Sequence, residues 1–241
     1  MRIAVISDIH GNMEAFTRVL NDIDASNIDV VICLGDNIGY GPEPDQVVNL
    51  IQDRNIPSVM GNHELAFVDR DYLNWFNPVA RKSLNKTVEM LSEKTKRFII
   101  RQKPFITGYN CRFVHGFPPD SPVIYLFEVK GNRLRNIFNQ MEERICFTGH
   151  THTLKIISYD GQDVSHESLP RGTTDLNEKM QYIINIGSVG QPRDGNNNAK
   201  YVIWDTAKKN IEVKYIPYDI ATVVDKIIDA GLPGVHAAKL W

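Results

Sequence analysis

Residues 1–16, MRIAVISDIHGNMEAF, carry an abrupt chemical change inside an apolar run. Ile3, Ala4, Val5 and Ile6 read as a strand buried on both faces, and Met13, Phe16, Val19, Leu20 and Ile23 recur at helical spacing directly afterwards. Asp8, Ile9, His10, Gly11 and Asn12 therefore fall on the turn between a core strand and a helix. In open α/β sheets, ligands gather at the strand ends where such turns lie. One polar turn is ordinarily a solvated loop, so recurrence decides the matter.

It recurs four times. VVICLGDN (30–37) puts Asp36 just past a second apolar strand, and IPSVMGNHE (56–64) puts Asn62 and His63 past a third. CRFVHG (111–116) puts His115 past a fourth, and RICFTGHTH (144–152) puts His150 and His152 past a fifth. Carboxylate, carboxamide and imidazole are the side chains that bind divalent transition metals. Several are preceded by glycine, which lets the backbone turn tightly and approach a bound group closely. A lone histidine after a strand is more often a hydrogen-bonded structural residue; five such turns in order are hard to reach by accident. His166 and His236 have no such setting and are read as structural.

The totals fit this picture. The 241 residues suffice for a large single domain, at 42% hydrophobic and 23% charged. A formal charge of −2 gives no general attraction to polyanions, so no general nucleic-acid surface is expected. No apolar run approaches the ~20 residues that span a bilayer, and no signal-peptide layout is present, so a cytoplasmic protein without a membrane partner is expected. Cys33, Cys111 and Cys146 lie in apolar runs without paired spacing and read as buried core residues.

Strand and helix alternate through the first third: strands at 2–7, 29–34 and 57–60, helices near 13–24 and 44–53. Residues 65–103 read as a helical insert within one domain spanning 1–241, with Val79, Leu84, Val88 and Leu91 on one face. The second half reads mainly as strands, at 105–107, 111–114, 122–127, 145–148, 153–159, 181–186, 199–204 and 211–216, with helices near 130–142 and 219–230. RGTTDLNEK (171–179) reads as a loop.

The ordered set Asp8-x-His10, Gly35-Asp36, Gly61-Asn62-His63-Glu64, His115 and Gly149-His150-x-His152 resembles the calcineurin-like metallophosphoesterases, from the first strand to at least NIGSVGQPRDG (185–195). The resemblance implies an α/β fold, a four-layer α/β/β/α sandwich of two mixed sheets, with two divalent metal ions over the strand ends. It implies one metal on Asp8, His10 and His152, the other on Asn62, His115 and His150, and Asp36 as bridge. His63 is implied to reach the substrate and protonate the leaving oxygen, with Asn62 beside it; Glu64 is expected to orient it. Arg193 is a candidate to grip a phosphate oxygen, and Tyr40, near Asp36, a candidate to touch substrate. The donors contain no thiolate, which suits manganese for activity, with iron, zinc, nickel or cobalt also acceptable.

Protein serine/threonine phosphatases share GNHE but carry an arginine soon after the second-motif aspartate, where this chain has GDNIGYGPEP (35–44). The expectation is a phosphodiesterase acting on a small, nucleotide-like phosphoester or polyphosphate through direct attack by metal-activated hydroxide, like the small prokaryotic phosphodiesterase-type members. A phosphoprotein phosphatase and a non-catalytic metal-binding scaffold are the alternatives. Phe67, Tyr72, Trp75 and Phe76 in the insert fit stacking on a nucleobase, the insert's own core, or a homodimer contact.

Overall fold

Inward and outward residues alternate along the first strand, and that alternation generates the layers. In the computed structural model, which describes residues 1–241, β1 (Arg2–Ile6) runs parallel to β2 (Val30–Cys33) and antiparallel to β10 (Ala199–Asp205). β11 (Asn210–Ile216) and β8 (Gly172–Asp175) complete a five-stranded sheet in the order β2-β1-β10-β11-β8. The second sheet has six strands: β3 (Phe105–Gly108), β4 (Cys111–Val114), β5 (Ile145–Thr148), β9 (Gln181–Ile186), β6 (Leu154–Tyr159) and β7 (Val164–Ser168), in the order β3-β4-β5-β9-β6-β7. Both sheets are mixed: β4, β5 and β9 are parallel, and their flanking strands antiparallel.

Because successive strand residues point to opposite faces, Ile3 and Val5 enter the core between the sheets, opposite Trp204 and Val202 in register. Phe113 and Phe147, stacked with centroids 5.5 Å apart, enter the same core from the second sheet, with Ile184 and Ile186. Ala4 and Ile6 point the other way, onto Phe16, Val19 and Leu20 of α1 (Met13–Asp24) and Val47 and Ile51 of α2 (Pro44–Asp53). Val114, Cys146 and Ile183 pack outward on Leu134 and Phe138 of α6 (Gly131–Gln140). Helix, sheet, sheet and helix are thus stacked, as expected.

The segment after the third polar turn folds as α3 (Asn62–Val68), a 3₁₀ turn (Arg70–Trp75), α4 (Pro78–Glu89) and α5 (Glu93–Ile100). Its core of Ala66, Leu73, Leu84, Leu91 and Ile99 closes over Ile38 and Val48. The buried stripe of α4 is Ala80, Ser83, Leu84 and Thr87, and Val79 is exposed, so the stripe is rotated from the apolar pattern toward small polar residues. The chain ends with α7 (Ile220–Asp229) and α8 (Gly234–Ala238), packed on each other through Val223, Ile227, Leu232 and Leu240.

Three local expectations fail. Residues 57–60 make only isolated bridges, Cys33 with Ser58 and Val59 with Lys103, because the chain must leave the sheet to start α3. Residues 122–127 form a loop ending in a short 3₁₀ turn at Leu126–Glu128 rather than a strand. Within 171–179, β8 forms an edge strand on β11; β7, also unforeseen, edges the other sheet. Both are largely exposed, so neither carries the apolar alternation that marks a strand.

Replacing Phe147, fully buried between the sheets, with alanine is expected to cost about 3–5 kcal/mol in denaturant unfolding. Trp241→Ala, at the exposed C-terminus, should change stability by no more than about 0.5 kcal/mol.

Candidate metal centre

The parallel strands of both sheets deliver their polar turns to one place. Asp8 and His10 follow β1, Asp36 follows β2, His115 follows β4, and His150 and His152 follow β5. Asn62 and His63 open α3. All eight side chains are buried, although none belongs to a hydrophobic core.

Holding them there distorts the backbone. Asp8, His10, Asp36, His150 and His152 all adopt left-handed conformations, with φ from 48° at His10 to 67° at His150. Such a residue other than glycine costs on the order of 1 kcal/mol, and clusters of them mark functional sites. The turns brace one another: Asp8 N–H donates to Gly35 O (3.0 Å), His10 N–H to Asp36 O (2.9 Å) and Gly190 N–H to Asp8 O (2.9 Å). Gly149 N–H donates to His115 O (2.7 Å), and His150 N–H to Asp8 Oδ2 (3.0 Å). Gly61, with an ordinary φ of −87°, is needed for space and not for conformational freedom. A Cβ there would strike the Asp36 carboxylate.

The imidazoles are pinned from behind by backbone carbonyls. Nδ1 of His10 donates to Ile38 O (3.0 Å), Nδ1 of His115 to Leu34 O (2.9 Å) and Nδ1 of His152 to Gln191 O. Nε2 of His150 donates to Val123 O (3.2 Å). Each bond fixes the tautomer and turns the other nitrogen's lone pair into the site.

The result is two knots of acceptors. In one, Nε2 of His152 lies 3.1 Å from Nε2 of His10 and 3.1 Å from Asp8 Oδ1. In the other, Nε2 of His115 lies 3.1 Å from Asn62 Oδ1, 3.2 Å from Nδ1 of His150 and 3.3 Å from Asp36 Oδ2. Asp36 Oδ2 also lies 3.7 Å from Nε2 of His10, so it faces both knots. Lone pairs aimed at one another repel unless a cation or proton lies among them. Donors about 2.1 Å from a common ion, at right angles, stand about 3 Å apart, which is the spacing found. The donor set therefore fits divalent metal.

Electrostatics agree. Burial would lower the His115 pKa, but the charges of Asp36 and Asp8 outweigh it and raise His115 to about 9: the site draws a cation to that point. Burial works against both carboxylates, yet the surrounding imidazoles hold Asp8 and Asp36 below the usual carboxylate range. Burial lowers His150 to about 3 and His63 to about 4, so both are neutral lone-pair donors at neutral pH.

Of the other expected residues, Glu64 acts differently from its expected part. It makes no hydrogen bond to the His63 ring; its carboxylate accepts from the backbone N–H groups of Asp36 (2.9 Å), Asn37 (2.8 Å) and Gly61 (3.0 Å), tying the second polar turn to the third. His63 N–H donates to Asp36 Oδ1 (2.9 Å), and its Nδ1 has no protein partner. Tyr40 packs on His10 and His63, at centroid distances of 4.5 and 4.6 Å, and burial pushes its phenol up to about 12. Arg193 is exposed, donates to Gln191 Oε1 (2.9 Å), and stands 5.8 Å from the Tyr40 ring centre.

His236, read from sequence as structural, lies at the edge of the site. Its buried ring packs on Tyr40 at 4.5 Å, and neither of its nitrogens has a partner. Nothing in GVHAA (234–238) announces this, since the residue follows no strand and arrives through the packing of α8. His166 lies exposed on β7, away from the centre. The carbonyls of Leu34, Ile38, Val123 and Gln191 were equally invisible, because every residue type has one.

The family model for the calcineurin-like phosphoesterase superfamily domain matches residues 1–209. The chain is 37% identical to an uncharacterized protein of Methanocaldococcus jannaschii over 99% of its own length and 97% of that relative's. It superposes on the crystal structure of a metallophosphoesterase from Sphaerobacter thermophilus with a TM-score of 0.83 and 33% identity, covering 100% of this chain and 98% of that one. A hypothetical protein from Pyrococcus horikoshii shares the fold, with a TM-score of 0.81 at 17% identity and coverage of 100% and 97%.

Glu64→Gln turns an amide N–H toward backbone donors and loosens the Asp36 turn. Metal titration by calorimetry should show affinity reduced about 10–100-fold with circular dichroism unchanged; undiminished affinity would contradict this role for Glu64.

Proposed function

The chain belongs to the calcineurin-like phosphoesterase superfamily and is a phosphoric ester hydrolase; within that family we propose a dinuclear metal-dependent phosphodiesterase acting on a small, nucleotide-like phosphoester or polyphosphate. The observation that carries the proposal is the pair of acceptor knots with Asp36 Oδ2 facing both. Asp8, His10 and His152 would hold one divalent ion, Asn62, His115 and His150 the other, and Asp36 would be common to the two. Bound ions there supply Lewis acidity, generating a nucleophile from water near neutral pH and offsetting charge on the phosphate oxygens. Oxygen and nitrogen donors without thiolate favour manganese, with iron, zinc, nickel and cobalt accepted by the same set.

The chain's own groups do the rest. The hydrogen bond from His63 N–H fixes Asp36 Oδ1, which leaves Oδ2 directed into the centre. His63 itself is neutral, buried and unpartnered at Nδ1. A phosphate anion alongside raises its proton affinity, so that the ring takes up a second proton with substrate bound and gives that proton to the leaving oxygen as the P–O bond breaks, returning to the neutral imidazole. Arg193 grips a non-bridging oxygen from the rim, and Tyr40 borders the bound ester.

Charge favours a diester. Two divalent cations against the two carboxylates of Asp8 and Asp36 and one hydroxide would leave a net single positive charge, which one phosphate monoanion satisfies. No arginine follows Asp36 to meet the second charge of a monoester; Tyr40 occupies that side of the site.

Metal-stripped protein should cleave a bis-aryl phosphodiester only after manganese is restored, and faster than the matching aryl monoester. His63→Ala should lower turnover roughly 10²- to 10⁴-fold with metal content, read by elemental analysis, unchanged. Full turnover in that variant would remove His63 from the leaving-group role, and a preference for the monoester would overturn the diesterase assignment.

A further inference from the structure

A cleft of about 240 Å³ opens beside the second acceptor knot and is reached by Asn62 and His150. Tyr72, Trp75 and Phe76 of the helical insert line it, together with Tyr125 from the loop that precedes the 3₁₀ turn at Leu126–Glu128. Phe76 and Tyr72 are held partly by the insert's own core, whereas Trp75 is 69% exposed, a large apolar surface that the fold does not use. Tyr125 is fixed by stacking on His150, with centroids 3.8 Å apart and planes 21° from parallel. The cleft therefore joins aromatic surface directly to a ring of the donor set.

Its charge identifies the occupant. Glu128 is the one acidic residue among the lining residues, and no lysine or arginine lines it. A polyphosphate tail or an acidic phosphopeptide finds no cation there and meets a carboxylate. A flat uncharged ring gains stacking, and a carboxylate accepts from the exocyclic amino group that several nucleobases carry. The volume lies below the roughly 300–1,000 Å³ of pockets for drug-sized ligands, which suits a single ring system.

Building on the phosphodiesterase proposal, we propose that this cleft is a base-stacking subsite that receives the nucleobase of a nucleotide ester whose phosphate lies at the acceptor knots, with Trp75 as a specificity-determining residue. Alanine substitution of an aromatic that stacks on a base weakens binding by roughly tenfold or more.

The test is equilibrium calorimetry on manganese-loaded protein with two probes, adenosine monophosphate and ribose phosphate, which differ by the base. The wild-type protein should bind the nucleotide about tenfold more tightly or better. Trp75→Ala should bring the two affinities within about twofold by weakening the nucleotide alone, and Trp75→Phe should retain most of the preference. Trp75 is exposed, so the fold tolerates both changes. Equal affinities in the wild-type protein, or a preference that survives Trp75→Ala, would overturn the subsite. Hydrolysis of diesters without base preference would count against the cleft alone. Base preference without diester hydrolysis would support the cleft and count against the diesterase assignment.

Discussion

Mutual repulsion among buried electron-pair donors is the constraint around which the molecule is organised. Two carboxylates, four pinned imidazoles and a carboxamide oxygen converge in one buried cluster. Left alone such a cluster would spread apart, because a buried acceptor without a partner is costly. The architecture prevents that. Parallel strands in two stacked sheets end at the same edge, and turns from one sheet hydrogen-bond to turns from the other, as His150 N–H does to Asp8. The inter-sheet core of Val5, Phe113, Phe147 and Val202 fixes the separation on which those bonds depend.

Backbone strain belongs to the same account. Five donor residues sit in left-handed conformations that a relaxed turn would give to glycine or asparagine. Each left-handed turn swings its side chain off the strand direction and into the gap between the sheets. Glu64 provides a buried carboxyl group that gathers three backbone N–H groups from two turns, doing for the Asp36 loop what a capping residue does for a helix. Cation binding is the free-energy term that can offset both repulsion and strain, which is why the centre is read as a metal site rather than a polar core.

Much of this was legible in the sequence because the fold and the site share one pattern, an apolar strand ending in a polar turn. Ile3 to Ile6 followed by Asp8 and His10 contain both the buried strand and its donors, and the donor list followed from repetition of that motif. What escaped notice depends on groups with no side-chain signature. The carbonyls that set the tautomers of His10, His115, His150 and His152 come from any residue type. The exposed edges β7 and β8 lack alternation, the apolar run 122–127 bends into a loop beside the centre, and His236 reaches Tyr40 only through the docking of α8. Glu64 was picked out by adjacency to His63, yet its carboxylate points back along the helix start to the Asp36 turn, a direction that spacing alone does not give.

The central claim, that Asp36 is shared between two ions, is tested most directly by electron paramagnetic resonance during manganese titration of the stripped protein. The account predicts two manganese ions per chain with a spin-coupled spectrum, and loss of that coupling in Asp36→Asn. A single ion per chain at saturation, or two ions that remain magnetically independent, would contradict it.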